Sequence, residues 1–157
     1  MTSISAICSS GNDVKVADLN LLVYAVNRDA PQHVAARRWL ETRLSGDETF
    51  ALSWSVILGF VRLSTQPRIF ERPMSAERAL SIIDGWLALP AVALITAGER
   101  HWSILRALVT ESGAAGNLTT DAHLAALAIE HGAELESADG DFSRFRGLRW
   151  SNPLLGR

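Results

Sequence analysis

A chain of 157 residues with 48% apolar and 20% charged residues is long enough to bury one core and has the composition of a globular domain. Its formal charge of −2 provides no overall basic field, so an anionic partner has to be met by a local patch. The single cysteine, Cys8, excludes an internal disulfide and a cysteine-built zinc site and fits a reducing, cytoplasmic setting, and no run reaches the ~18 apolar residues of a membrane span.

Residues 1–13, MTSISAICSSGND, are small and polar without a basic n-region. They read as a disordered tail or a misplaced start rather than a signal peptide, which leaves residues 14–157 as one domain. VKVAD, ending on Asp18, predicts a first strand, and Asn20 is a candidate cap for the helix that follows. Pro31 opens a second helix that stops near Gly46. TFALS predicts a second strand and WSVILGFVRLST a third helix, which ends before the two prolines of QPRIFERP. Ser75 caps an amphipathic helix broken at Pro90, and AVALI is a third buried strand. GERHWSILRALVTES is a further helix. GAAGN is a loop, and TTDAHLAALAIEHG is a helix capped by threonine and closed by Gly132. AELES and GLRWSN complete the strands, with DGDFSRF between them.

Strands alternating with helices predict an α/β fold with a central, mostly parallel sheet and helices on both faces. Ligands of such sheets bind beyond the carboxyl ends of the strands. Asp18 ends the first strand, Asp139 and Asp141 follow the fourth, and Asp121 opens the helix leading into it. Each acid has an ordinary reading: a cap at Asp18, a favourable helix-dipole charge at Asp121, a surface turn at Asp139-Gly-Asp141. Gathered together they repel, and their ionised forms need a cation. Hard oxygen donors suit Mg²⁺ or Mn²⁺, which neutralise charge on a phosphodiester and activate water, so the pattern points to metal-assisted phosphoryl chemistry.

Competing motifs fail on spacing. A calcium loop starting at Asp139 would place Arg144 where glycine belongs and Trp150 where glutamate belongs. The only lysine, Lys15, rules out a phosphate-cradling GxxxxGK[ST] loop, and no Gly-x-Ser-x-Gly elbow exists. A haloacid-dehalogenase-type phosphatase wants Asp-x-Asp after the first strand, where this chain has Asp18-Leu-Asn20. His33, His101, His123 and His131 are dispersed and read as surface or packing residues. Trp54, Trp86, Trp102 and Trp150 read as core or subunit-interface residues, and Tyr24 as core.

VADLNLLVYA resembles the opening Asp-x-Asn-x-Leu-x-Tyr motif of PIN-domain ribonucleases, especially VapC-type toxins of toxin–antitoxin pairs. GNLTTDAHLAALAIEHGAELESADGDFSRF is similar to their C-terminal signature, and SWSVILGFVRLSTQPRIF to the middle helix of an actinobacterial branch; the likeness spans about residues 14–155. The resemblance implies a single three-layer α/β/α PIN domain that cleaves RNA with Mg²⁺ or Mn²⁺, a small VapB-type antitoxin that blocks the site, and a homodimer. It implies tRNA or ribosomal RNA as substrate and translation as the process inhibited. Carried over by motif position, Asp18, Asp121 and Asp139 are the catalytic, metal-binding acids, Asp141 is a further metal-binding acid, and Asn20 orients Asp18. The family's remaining glutamate is replaced by Gly59, which leaves open whether one metal or two are held. Arg62 shares the face of Gly59 and is a candidate for an RNA phosphate, or an ion-pair partner of the acids. Two other readings remain: a PIN fold that binds RNA or antitoxin without cutting, and a small-molecule phosphohydrolase using the same acids.

Overall fold

The computed structural model describes residues 13–113 and 116–155. The predicted tail with Cys8 and the middle of the GAAGN loop therefore lie outside the described residues, except for Asp13. Five short strands, β1 (Lys15–Ala17), β2 (Phe50–Ser53), β3 (Val92–Ile95), β4 (Glu134–Glu136) and β5 (Arg149–Ser151), form one sheet in the order β3-β2-β1-β4-β5. Every pairing is parallel, with Lys15 opposite both Phe50 and Glu134. β1, β2 and most of β3 and β4 are buried along their length, as expected of a sheet covered on both faces.

Six helices supply the covering layers: α1 (Leu19–Val26), α2 (His33–Ser45), α3 (Trp54–Ser64), α4 (Ala76–Leu87), α5 (His101–Ser112) and α6 (Thr119–Glu130). From β1 the chain moves outward through β2 to β3, then returns past β1 to build β4 and β5. Because parallel crossovers are right-handed, α1–α4 cover one face and α5–α6 the other, giving three layers. Within them α1 packs on α2 and α3, and α5 on α6. The core runs through Leu21, Leu22, Phe50, Leu52, Phe60, Leu127 and Leu135, all essentially inaccessible.

The reversal of direction between β1 and β4 is the topological switch point, where α/β sheets open a crevice at the strands' carboxyl ends. Asp18 and Ser137 stand on either side of it. Its far edge is pinned from below. The buried Glu136 accepts the indole N–H of Trp39 at 2.9 Å and two N–H groups of Arg43, so α2 is tied to the last residue of β4.

Two local expectations are corrected. The cap of α1 is Asp18, not Asn20: β1 ends at Ala17 and α1 begins at Leu19, so Asp18 is the last extended residue before the helix and its carboxylate accepts the Leu19 N–H. The cap position of α6 is Leu118, with no side-chain hydrogen bond, because a 3₁₀ turn over Gly116–Leu118 runs straight into the helix and carries the threonines inside it. Of the tryptophans read as core or subunit-interface residues, Trp86 is core and Trp150 is half-buried, while Trp54 and Trp102 are exposed and stand outside the core. The termination of α6 follows expectation, with Gly132 at φ +62°.

Candidate active site

Each acid reaches the crevice by a different local device. The strand-to-helix junction delivers Asp18: its φ/ψ of −85°/152° ends the strand while its Oδ1 accepts the Leu19 N–H at 2.7 Å. Asp121 sits in the first turn of α6, where the helix dipole favours a negative charge. A 3₁₀ turn over Gly140–Arg144 follows β4, with Asp139 at its head accepting the Asp141 N–H at 2.9 Å.

Ser137 joins the Asp18 junction to the Asp139 turn. Its buried hydroxyl donates to Asp18 Oδ2 at 2.6 Å and accepts from the Asn20 amide at 3.2 Å and the Asp139 N–H at 2.9 Å. One donor and two acceptor positions are the whole capacity of a hydroxyl, so its orientation is fixed. Asn20 completes the frame by accepting the Ala138 N–H at 3.3 Å. Asn20 therefore orients the loop and Ser137, and acts on Asp18 through that serine. Sequence reasoning placed Ser137 at the end of a strand and gave it no role. Its only signal was a small hydroxyl residue two positions before Asp139.

The acids feel one another. Burial raises the Asp18 carboxyl to about 6, and the charges of Asp121 and Asp139 add to that rise against the lowering effect of its two hydrogen bonds. Asp121 is likewise raised, by burial first and then by Asp139 and Asp141. Four carboxylates from three separate parts of the chain thus share one field. Among the described residues, no three histidine, cysteine, aspartate or glutamate side chains are gathered closely enough to hold a metal ion as they stand. The donor set nevertheless fits a hard divalent cation: all donors are carboxylate oxygens, and each raised pKa marks charge that a cation would relieve. Enclosing an ion requires the side chains to close inward.

Gly59 lies buried on α3 against α1. A Cβ there would meet Leu19 Cδ2 at 2.5 Å, so the leucine next to Asp18 occupies the space a larger residue would need. Arg62, one turn on, is exposed and makes no ion pair among the described residues, so it is not a structural partner of the acids. The cation that does reach them is Arg144, which pairs with Asp141 at 3.1 Å and lowers the pKa of Asp121. Glu130 lies elsewhere, accepting the N–H groups of Gly98 and Arg100, and cannot stand in for an acid at Gly59. The histidines are less dispersed than the sequence suggests: His101 and His123 are hydrogen-bonded at 2.9 Å where α5 packs on α6.

A profile of the PIN domain matches residues 15–148. The chain belongs to the PIN-domain family. Within that family it is similar to the VapC ribonucleases of Mycobacterium tuberculosis. It is 44% identical to ribonuclease VapC37 over 140 residues, 89% of this chain and 97% of that protein. It is 40% identical to ribonuclease VapC33 over 139 residues, 88% and 97% of the two chains. The fold is that of the PIN domain in the VapBC2 complex of Rickettsia felis bound to a DNA fragment from their promoter. That likeness has a TM-score of 0.65 at 22% identity and covers 88% of this chain and 98% of that one. The PIN-domain family membership accounts for the three-layer architecture. No helix among the described residues is long and apolar enough to cross a membrane.

Proposed function

We propose that this PIN domain is a Mg²⁺- or Mn²⁺-dependent endoribonuclease toxin, acting on structured RNA and held in check by a small VapB-type antitoxin. The single observation that carries the reading is the shared field of Asp18, Asp121, Asp139 and Asp141 at the switch point of the sheet. The ribonuclease names of relatives at 40% and 44% identity support the reaction class.

In this reading Asp18, Asp121 and Asp139 offer ionised oxygens to the metal, with Asp141 beside them. When bound, the ion supplies charge neutralisation on the phosphodiester and lowers the pKa of an attacking water. Ser137 and Asn20 hold Asp18 and the Asp139 loop in register so that neither carboxylate has to be ordered during the reaction. Water attacks phosphorus in line with the 3′ oxygen, leaving a 5′-phosphate and a 3′-hydroxyl. Cleavage of tRNA or of a ribosomal RNA loop would stop translation. The exposed Trp54 and Leu58, four residues apart on α3, and Trp102 on α5 support a homodimer, which light scattering would measure.

Induced expression tests the proposal. The wild-type chain should arrest growth, co-expression of the antitoxin frame should relieve the arrest, and Asp18→Asn or Asp121→Asn should abolish it without unfolding the protein. Mapping the ends of RNA cut after induction identifies the substrate. A fully toxic Asp18→Asn/Asp121→Asn double variant would sink the reading. Gly59 and the open spacing of the acids favour a second reading, a PIN domain that binds RNA or antitoxin without cutting. Calorimetric titration with Mn²⁺ at neutral pH separates the two, because the second reading requires no binding.

A further inference from the structure

A carboxylate cluster has an electrostatic difficulty with its substrate. Four ionised acids with one divalent cation still carry two net negative charges, and a phosphodiester adds another. A second source of positive charge is needed where the phosphate arrives. The global charge of −2 does not supply it.

Arg144 is placed to do so. It stands in the 3₁₀ turn over Gly140–Arg144, between two buried phenylalanines, Phe142 and Phe145, whose rings lie 5.9 Å apart and fix the turn on both sides. Its Nε donates to the Asp141 carbonyl at 3.2 Å and its Nη2 to Asp141 Oδ1 at 3.1 Å. Two of its five N–H groups are thereby used, and the others have no partner among the described residues. The side chain is 38% exposed, so those donors face solvent at the rim of the cluster. Its charge reaches Asp121 as well, whose carboxyl it lowers. Arg62 has none of these ties: it makes no ion pair among the described residues, and its charge is not among the causes that shift Asp18 or Asp121.

We infer that Arg144 is a phosphate-positioning residue of this site, resting on Asp141 as its counter-ion while the site is open and turning its free guanidinium edge to the RNA backbone when substrate enters. The inference rests on the ribonuclease reading above and assigns a role to a residue outside its acids. Planar guanidinium groups suit this task because they grip two phosphate oxygens at once. It carries a consequence that a structural role does not share. As an internal cation beside Asp141 and Asp121, Arg144 opposes metal binding, while as a phosphate contact it favours RNA binding. Removing it should move the two affinities in opposite directions.

The experiment uses the full chain with Arg144→Ala and Arg144→Lys. Mn²⁺ affinity is measured by calorimetry, and the affinity of a labelled RNA stem-loop by anisotropy in an Asp121→Asn background that suppresses cutting. Arg144→Ala should bind the stem-loop about tenfold more weakly. The dependence of log K on log salt should flatten by about 0.7 to 0.9, the signature of one lost phosphate contact. The same variant should bind Mn²⁺ more tightly than wild type. Arg144→Lys should restore the salt dependence, since it keeps the charge. Unchanged RNA affinity and salt slope, or Mn²⁺ and RNA affinities that weaken together as a disordered turn would make them, overturns the role of Arg144 alone. A stem-loop that the Asp121→Asn parent fails to bind overturns the ribonuclease reading and this inference with it.

Discussion

Replacing Asp18 by asparagine should stabilise the metal-free protein at neutral pH, although the substitution removes a hydrogen-bonded residue from the centre of the fold. The folded chain raises this carboxyl from an ordinary 3.8 to about 6, through burial first and then the charges of Asp121 and Asp139. The folded state therefore binds the proton more tightly than the unfolded state. The stability this group contributes is fully present below 3.8 and is lost as pH rises through about 6. At about 1.4 kcal/mol for each pH unit, the rise costs the ionised protein about 3 kcal/mol above that window. Asparagine caps a helix as well as aspartate does. Its single carbonyl oxygen cannot accept from both Leu19 N–H and the Ser137 hydroxyl, which costs about 1 kcal/mol. The variant should therefore be about 2 kcal/mol more stable at pH 7.5, or about 4–8 °C higher in Tm for a chain of this length. Urea unfolding in EDTA at pH 4.5 and 7.5 measures it. The wild-type-to-variant difference should widen by about 2 kcal/mol between those two pH values. Glu130 and Glu134 titrate in the opposite direction, but they are common to both proteins, do not interact with Asp18 and cancel in the difference. A variant less stable than wild type at pH 7.5, or a difference independent of pH, would refute the raised carboxyl of a buried, ionisable Asp18.

Ser137→Ala should destabilise by about 1–3 kcal/mol, because it strips a buried hydroxyl of three hydrogen bonds. Since that hydroxyl lowers the Asp18 carboxyl, the acid limb of the RNA-cleavage pH profile should move to higher pH. Gly59→Ala should cost about 1–3 kcal/mol through its clash with Leu19. In a Leu19→Ala background it should instead gain up to about 1 kcal/mol of helix propensity, a sign reversal that a double-mutant cycle by urea unfolding would show. Arg43→Ala strands the buried Glu136 without its cation and should cost about 3–5 kcal/mol in the same assay, whereas Arg37→Ala, which breaks an exposed pair with Glu41, should cost less than about 1 kcal/mol.

The sequence by itself determined the α/β class, the parallel sheet and the acids at strand ends and helix starts, because these follow from local rules. Val16, Leu52 and Ile95 lie in buried runs too short for helices, and Asp18, Asp121 and Asp139 stand where strands end or helices begin. The motif likeness was legible for the same reason, since each motif is continuous in sequence. The tertiary structure alone decided what depends on residues distant along the chain. Ser137 looks like a strand terminus until β1 and β4 pair and bring it against Asp18, 119 residues away. Gly59 looks like a lost acid until α3 packs on α1 and shows Leu19 filling the space. His101 and His123 look scattered until α5 meets α6. Helical spacing pointed to Arg62 and gave no signal for Arg144. Only the turn after β4 sets the Arg144 guanidinium against Asp141 and in the field of Asp121.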